Sequence, residues 1–370
     1  MQRLPQKLAF LMKIWNSSTQ SWLSRAKLTA TLGKAECEQF FLPAGALAFN
    51  GSENMSSFTT AFLFPGQGSQ AVGMGVALAA SHQAAKHVFD EVNDALDENL
   101  FDIMAHGPDD LIRMTRNAQP ALFATSMAAV RVLETELKAP LSSRNAVCAG
   151  HSLGEYAALA AAGSLPIGAA AKLLRQRGDA MQAAVPVGAG AMAAILGGDE
   201  DQITAIIAAS QDAGLVEIAN DNAPGQIVIS GAAEAVDKAI DEAKAAGLRR
   251  AIKLPVSAPF HCGLMAPAAA VMQEALADTP IKDAVMPVFC NVTAAAENAA
   301  DKLRANLVEQ VTARVRWRES LLAMQAAGCG LYIELGTGKV LSGLVKRSLD
   351  AATVVNLDGP DDLDSVLVEL

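Results

Sequence analysis

The stretch AGHSLGEYA, Ala149 to Ala157, decides the fold. It sets Ser152 between Gly150 and Gly154 in the pattern G-x-S-x-G. The residues before it, Asn145 to Ala149 (NAVCA), read as a short buried strand. Those after it, Leu153 to Ala162, read as an Ala-rich helix. A strand, a tight turn carrying a serine and a helix make the nucleophile elbow of α/β-hydrolase-like sheets. Such a turn holds Ser152 clear of the sheet. It also leaves the Leu153 N–H at a helix N-terminus, aimed where an oxyanion would form.

Working outward, Thr60 to Phe64 (TAFLF) reads as another short buried strand. It runs into the turn-rich loop Pro65-Gly66-Gln67-Gly68-Ser69-Gln70, and helical patterns follow between about 76 and 137. Residues 190–254 change character. Ala191 to Leu196, Leu215 to Ala219, Gln226 to Ser230 and Arg249 to Leu254 are strand-like. Glu200 to Ser210 and Ala232 to Ala246 are helical. Asn220 to Gly225 is expected to connect the two middle strands. The order β-α-β-β-α-β is a ferredoxin-like unit. The strands Val285 to Asn291 and Leu331 to Leu335 then resume the first sheet. The expectation is an α/β protein: a hydrolase-like large domain with a parallel sheet, at 57–187 and 256–370, and an inserted ferredoxin-like small domain at 188–255.

A serine hydroxyl is a weak nucleophile until a base takes its proton. Of the five histidines, His82, His87 and His106 lie in polar helical or loop stretches and read as surface residues. His151 adjoins Ser152 and would struggle to turn its ring onto the neighbouring hydroxyl. His261, in SAPFHC (257–262), follows the last strand of the small domain, at a domain junction where clefts form. Cys262 is a rival nucleophile, but adjacent residues of an extended loop point apart, which turns it toward the core. Two arginines two apart on a helix face different ways, so one of Arg175 and Arg177 is available to point inward. A buried arginine needs an anion, and its forked donors fit a carboxylate. The loop FPGQGSQ (64–70) lacks the Gly-Lys-Ser/Thr ending of a phosphate-binding loop, and GTGKV (336–340) has valine where a magnesium-binding hydroxyl belongs. The first of these turns can still offer the Gln67 N–H as a second oxyanion donor.

Composition narrows the rest. A net charge of −10 and 5% aromatic residues argue against nucleic acid as a partner. No apolar run is long enough to cross a membrane; Tyr156 to Leu174 is broken by Gly163, Pro166 and Gly168. Five cysteines, Cys37, Cys148, Cys262, Cys290 and Cys329, with no C-x-x-C pair, read as free thiols in a reducing compartment. Residues 1–56 stand apart: six basic residues precede the first acid, Glu36, and Ser and Thr are frequent. That composition suits either a mitochondrial-type transit peptide or upstream sequence translated ahead of Met55, and we favour the second. The corresponding locations are cytoplasm for a chain starting near Met55 and mitochondrial matrix for a true transit peptide.

With these pieces assembled, the chain resembles the malonyl-CoA:acyl carrier protein transacylase family, from about Phe62 to Leu370. The resemblance rests on FPGQGSQ at 64–70, GHSLGEYAAL at 150–159, QRG at 176–178, NAPGQIVISG at 222–231, PFH at 259–261 and ELGTGKVLSGL at 334–344. The same pattern recurs in the acyltransferase domains of fatty acid and polyketide synthases. The resemblance implies that Ser152 takes the acyl group and His261 is general base and acid. It implies that Arg177 grips the free carboxylate of the malonyl group, and that Gln67 and Leu153 give the oxyanion N–H groups. Gln310 matches an active-site glutamine that supports His261, and Asn222 a small-domain loop asparagine near the cleft. Phe260 is the bulky residue that goes with malonyl over methylmalonyl. The implied partners are malonyl-CoA and an acyl carrier protein, with no cofactor and no metal, and nothing demands more than a monomer. Candidate carrier-protein contacts are Arg249, Arg250, Lys253, Lys339 and Lys346. An esterase or thioesterase on the same elbow, and a silent carrier-binding module, stay open as alternatives.

Overall fold

The protein is described here from a computed structural model covering residues 58–370 apart from Arg249 and Ser257. The expectations placed on residues 1–56, on Cys37 and on Arg249 lie outside the described residues.

Two sheets organise the chain. The first comprises β1 (Thr60–Phe64), β2 (Ala146–Gly150), β7 (Val288–Cys290), β8 (Ala295–Glu297), β9 (Leu331–Leu335) and β10 (Thr353–Leu357). Their order across the sheet is β10-β9-β1-β2-β7-β8. The pairs from β10 to β7 are parallel, and β8 alone runs antiparallel, as an edge strand. Strands of a sheet covered on both faces read as continuous apolar runs, as TAFLF and AVCAG do. Successive side chains serve opposite faces. Phe62 and Phe64 join the cluster under the long helix Thr115–Leu137, while Ala61 and Leu63 pack with Trp317 and Leu341 on the other side.

The second sheet comprises β3 (Gly190–Leu196), β4 (Val216–Ala223), β5 (Gln226–Ala232) and β6 (Arg250–Lys253), in the order β4-β5-β3-β6, all antiparallel. With helices Glu200–Ser210 and Ala233–Ala245 this is the expected β-α-β-β-α-β unit. Ala193, Ile195 and Ile229 face Ile203 and Val236 of those helices in a separate apolar cluster. On the opposite face Met192, Ala219 and Val228 join the core of the first sheet.

Several local expectations change. Asn220–Ala223 belongs to β4, so only Pro224-Gly225 is left as the connection to β5. Asn and Asp favour turns where solvent is their alternative. Here the Asp221 N–H donates to the Val315 carbonyl (2.9 Å) and its carboxylate is paired with Arg318 (2.7 Å), which holds the segment extended. The strand expected over 285–291 is confined to Val288–Cys290, and β8 and β10 are additional. No helix among the described residues is long and apolar enough to cross a membrane.

Candidate active site

The site is built at the carboxyl ends of β1, β2 and β7, where open parallel sheets hold their ligands. β2 ends at Gly150, and the helix Gly154–Ala161 starts four residues later. Both glycines of the elbow are needed for close approach. A Cβ on Gly150 would lie 1.9 Å from the Gly154 carbonyl carbon, and one on Gly154 would lie 2.3 Å from the Phe64 oxygen. Ser152 sits between them at φ 54°, a left-handed conformation that costs a non-glycine residue free energy. Asn291, directly after β7, secures the turn. Its Oδ1 accepts the Ser152 N–H at 2.7 Å and its Nδ2 donates to the Gly150 carbonyl at 2.7 Å.

His261 is the histidine at Ser152. Its Nε2 lies 2.7 Å from Ser152 Oγ, and its Nδ1 lies 2.9 Å from the main-chain carbonyl of Gln310. A carbonyl only accepts, so Nδ1 carries the proton and Nε2 is left to accept from the serine. His261 too is left-handed, at φ 58°. Burial, aided by the charge of Arg177 and opposed by the Gln310 carbonyl, pushes its pKa down to about 3. The resting imidazole is therefore neutral, with the Nε2 lone pair facing the serine. His151 points elsewhere, with Nε2 2.8 Å from Asn222 Oδ1 and its ring beside Trp317. Cys262 is buried, its thiol donating to the Pro259 carbonyl. His87 and His106 are exposed, and His82 is half-buried.

Both arginines of the pair are inward, not one. Arg175 donates to the Arg116 carbonyl, to Asn117 and to Glu98, which ties helix Ile167–Ala183 to its neighbours. Arg177, 1% exposed, enters the site. Its Nη1 donates to Gln119 Oε1 at 2.9 Å. Its Nη2 donates to Gln310 Oε1 at 2.9 Å and to Ser152 Oγ at 3.2 Å. No carboxylate forms an ion pair with it among the described residues. A charged guanidinium is thus held by neutral amides within reach of the nucleophile, its charge available to an anionic ligand.

The N–H groups of Gln67 and Leu153 have no partner among the described residues. Leu153 caps the helix that starts at Gly154, and Gln67 follows the end of β1, beside β2. Phe260 is buried in the apolar cluster directly before His261. A cleft of about 370 Å³ reaches His261 between Val216, Glu217 and Ile218 of β4 and the segment Thr312–Arg314. Among the described residues no cluster of His, Cys, Asp and Glu could hold a metal ion.

Three residues of this network escape the sequence reading. Glu155, which accepts from the Asn291 N–H and from Gln310, lies inside the quoted motif, and a lone carboxylate in an apolar helix is its signal. Asn291 directly follows a buried strand, and Gln119 sits in the helix Thr115–Leu137; nothing local distinguishes either. Of the surface cations, Lys339, Lys346, Arg250 and Lys253 are all exposed, and Lys253 is paired with Asp237 at 2.7 Å.

Comparison with known proteins agrees with this geometry. Residues 61–359 match the family model described as the acyl transferase domain. The chain is 43% identical over 311 residues to the malonyl CoA-acyl carrier protein transacylase of Bacillus subtilis (strain 168), covering 84% of this chain and 96% of that one. The crystal structure of acyl-carrier-protein-S-malonyltransferase from Bartonella henselae superposes with a TM-score of 0.82 at 46% identity, covering 84% and 99%. A type II polyketide-synthase acyl carrier protein in complex with its malonyl-transacylase matches with a TM-score of 0.80 at 37% identity, covering 84% and 100%.

Proposed function

The chain belongs to the acyl transferase family, and we propose that it carries the malonyl group of malonyl-CoA to the phosphopantetheine thiol of an acyl carrier protein through a malonyl-serine intermediate. The observation that carries this reading is one oxygen with two partners. Ser152 Oγ is 2.7 Å from the base His261 and 3.2 Å from the cation Arg177. A simple esterase needs the first contact and not the second.

His261 Nε2 takes the Ser152 proton as Oγ attacks the thioester carbonyl, and the oxyanion is received by the Leu153 and Gln67 N–H groups. Collapse expels the CoA thiolate, which takes the proton from His261. The carrier thiol then enters, loses its proton to His261 and attacks the malonyl-serine ester, and His261 returns the proton to Ser152. Arg177 receives the malonyl carboxylate throughout. Its Nη2 can exchange the contact to Oγ for one to the substrate once the serine is acylated. Phe260 adds a steric limit on the α-carbon, which favours malonyl over methylmalonyl, and Asn222 acts through His151.

We take 57–187 and 256–370 as the large domain and 188–255 as an insertion, with the cleft along β4 as the approach to His261. We place the reaction in the cytoplasm, supplying extender units for fatty acid synthesis. A polyketide pathway is the second reading, favoured by the likeness to the polyketide malonyl-transacylase. The test is to mix the protein with malonyl-CoA and then with a holo carrier protein of either pathway. Malonylated carrier supports the proposal, free malonate indicates a hydrolase, and neither indicates a binding module.

A further inference from the structure

Glu155 is wholly buried on the first turn of the helix after the elbow, three residues beyond Ser152. A carboxyl group in an apolar interior is costly unless hydrogen bonds compensate it. Oε2 accepts the Asn291 N–H at 3.0 Å and Gln310 Nε2 at 2.7 Å, the Cys290 thiol also bears on the carboxyl group, and no N–H or O–H among the described residues reaches Oε1. Burial raises the pKa to about 7, opposed by the bonds from Asn291, Gln310 and Cys290 and by the charge of Arg177. Oε2 already receives two N–H donors, so a proton on this group takes Oε1 and Oε2 accepts in either state.

This fixes the amide of Gln310. Its NH₂ end meets two acceptors, Glu155 Oε2 and the Ser152 carbonyl at 3.0 Å. Its oxygen must therefore face the other way, and there it accepts Arg177 Nη2. Turned over, the amide would set its NH₂ against the guanidinium donors and its oxygen against the carboxyl group, losing every one of these bonds. Arg177 is held on its other side by Gln119, itself turned by a contact from Nε2 to Met181. The guanidinium thus stands between two amide oxygens, and Glu155, with the Ser152 carbonyl, sets which way one of them points without touching the arginine.

We propose that Glu155 is a positioning residue for acyl-group selection: by locking the orientation of the Gln310 amide it sets Arg177 to receive the substrate carboxylate. This rests on the acyl-transfer reading above. It distinguishes the role of the Gln310 side chain from that of its main chain, which orients His261. Disturbing the side chain alters which acyl group is chosen and leaves the base in place.

The readout is kcat/KM for malonyl-CoA and acetyl-CoA, since only the first uses Arg177. Glu155→Leu removes the acceptor, and the malonyl-over-acetyl ratio is expected to fall about tenfold or more, mainly through the malonyl KM. Glu155→Gln can place an amide oxygen where Oε2 was, and is expected to keep the ratio within about threefold. Gln310→Met is expected to lower the ratio as Glu155→Leu does, and the double variant to lower it no further, because both break the same link. Glu155→Asp, which withdraws the acceptor by one carbon, takes the place of Glu155→Leu if that variant does not fold, with the same expectation. The proposal is overturned if these variants lower malonyl and acetyl transfer by a common factor, or if the single effects add in the double variant. A native protein that transfers no malonyl group would instead overturn the functional reading.

Discussion

The main-chain carbonyl of Gln310 accepts the Nδ1–H of His261 at 2.9 Å, so the base facing Ser152 is oriented by backbone and not by a carboxylate. A neutral acceptor fixes the tautomer as a carboxylate would, but brings no negative charge to stabilise an imidazolium. Buried, with Arg177 nearby and no counter-ion in contact among the described residues, the ring resists protonation at rest.

The pH dependence follows with a definite sign. The pKa of His261 is lowered to about 3 from an ordinary 6.5, so the base stays neutral well into acid. Its acid limb in kcat/KM is expected below pH 6.5, with activity at about pH 5.5 within about twofold of that at about pH 7.5. Above 6.5 folded and unfolded forms are both neutral at this site. As pH falls from 6.5 toward 3 the unfolded chain takes up the proton first, so stability is lost over that window. The profile is measured on the native protein and on Glu155→Gln, which removes the carboxyl that titrates near 7. A histidine-type limb near 6.5 in both proteins would contradict the assignment.

Ser152→Ala is expected to abolish the acyl-enzyme and to reduce transfer by on the order of 10⁴-fold or more. Intact-mass measurement after exposure to malonyl-CoA reads this directly: native chain gains one malonyl group and the variant gains none. Equal labelling of the two would move the nucleophile elsewhere.

Arg177→Ala removes the cation that a malonyl carboxylate needs. Charge-assisted hydrogen bonds are worth about 1.5–3 kcal/mol each, so a loss of about tenfold to a hundredfold or more in malonyl transfer is expected, with acetyl transfer spared or raised. Steady-state kinetics on both thioesters decides it. A common loss for both would mean that Arg177 holds the fold or the serine and does not select the acyl group.

Asn291→Ala strips the elbow of its clamp, leaving the Ser152 N–H and the Gly150 carbonyl without partners. Unpaired buried polar groups cost about 1–3 kcal/mol each, so a lower melting temperature is expected. Malonyl and acetyl transfer are expected to fall together, because the damage is to the nucleophile and not to selection. Unchanged thermal unfolding with unchanged kcat would show that the turn stands without Asn291.

What is local or strictly periodic was legible in the residues alone. The elbow is legible because a serine at positive φ needs glycines packed close on both sides, and Gly150 and Gly154 supply them within five residues. TAFLF reads as a buried strand because a sheet covered on both faces demands a near-continuous apolar run, LYIEL does so despite Glu334, whose carboxylate accepts the Leu341 and Ser342 N–H groups, and both have the bounds expected for them. Helix Glu200–Ser210 is equally legible, since Asp199 and Gln202 form its capping box. The weak points were short or edge elements. The outer end of β4 owes its extended form to Val315, distant in the chain, which no window of sequence contains, while β8 is a three-residue edge strand beside Val288–Cys290 with no apolar run to announce it.

The wiring of the site comes from the packing of distant segments. Ser152, Arg177, His261 and Gln310 are spread over 159 positions of the chain, on four separate segments that must come together before they meet. Nothing in QRG said that Arg175 would be spent on Glu98 while Arg177 reached the serine; helix packing settled it. Nothing in the glutamine at 310 said that its carbonyl would serve the base and its side chain the cation. Glu155 and Asn291 took their roles from burial, because a polar group removed from water must bond to whatever the fold brings within about 3 Å. Residue type sets which bonds a side chain can make, and the packing of distant segments chooses among them.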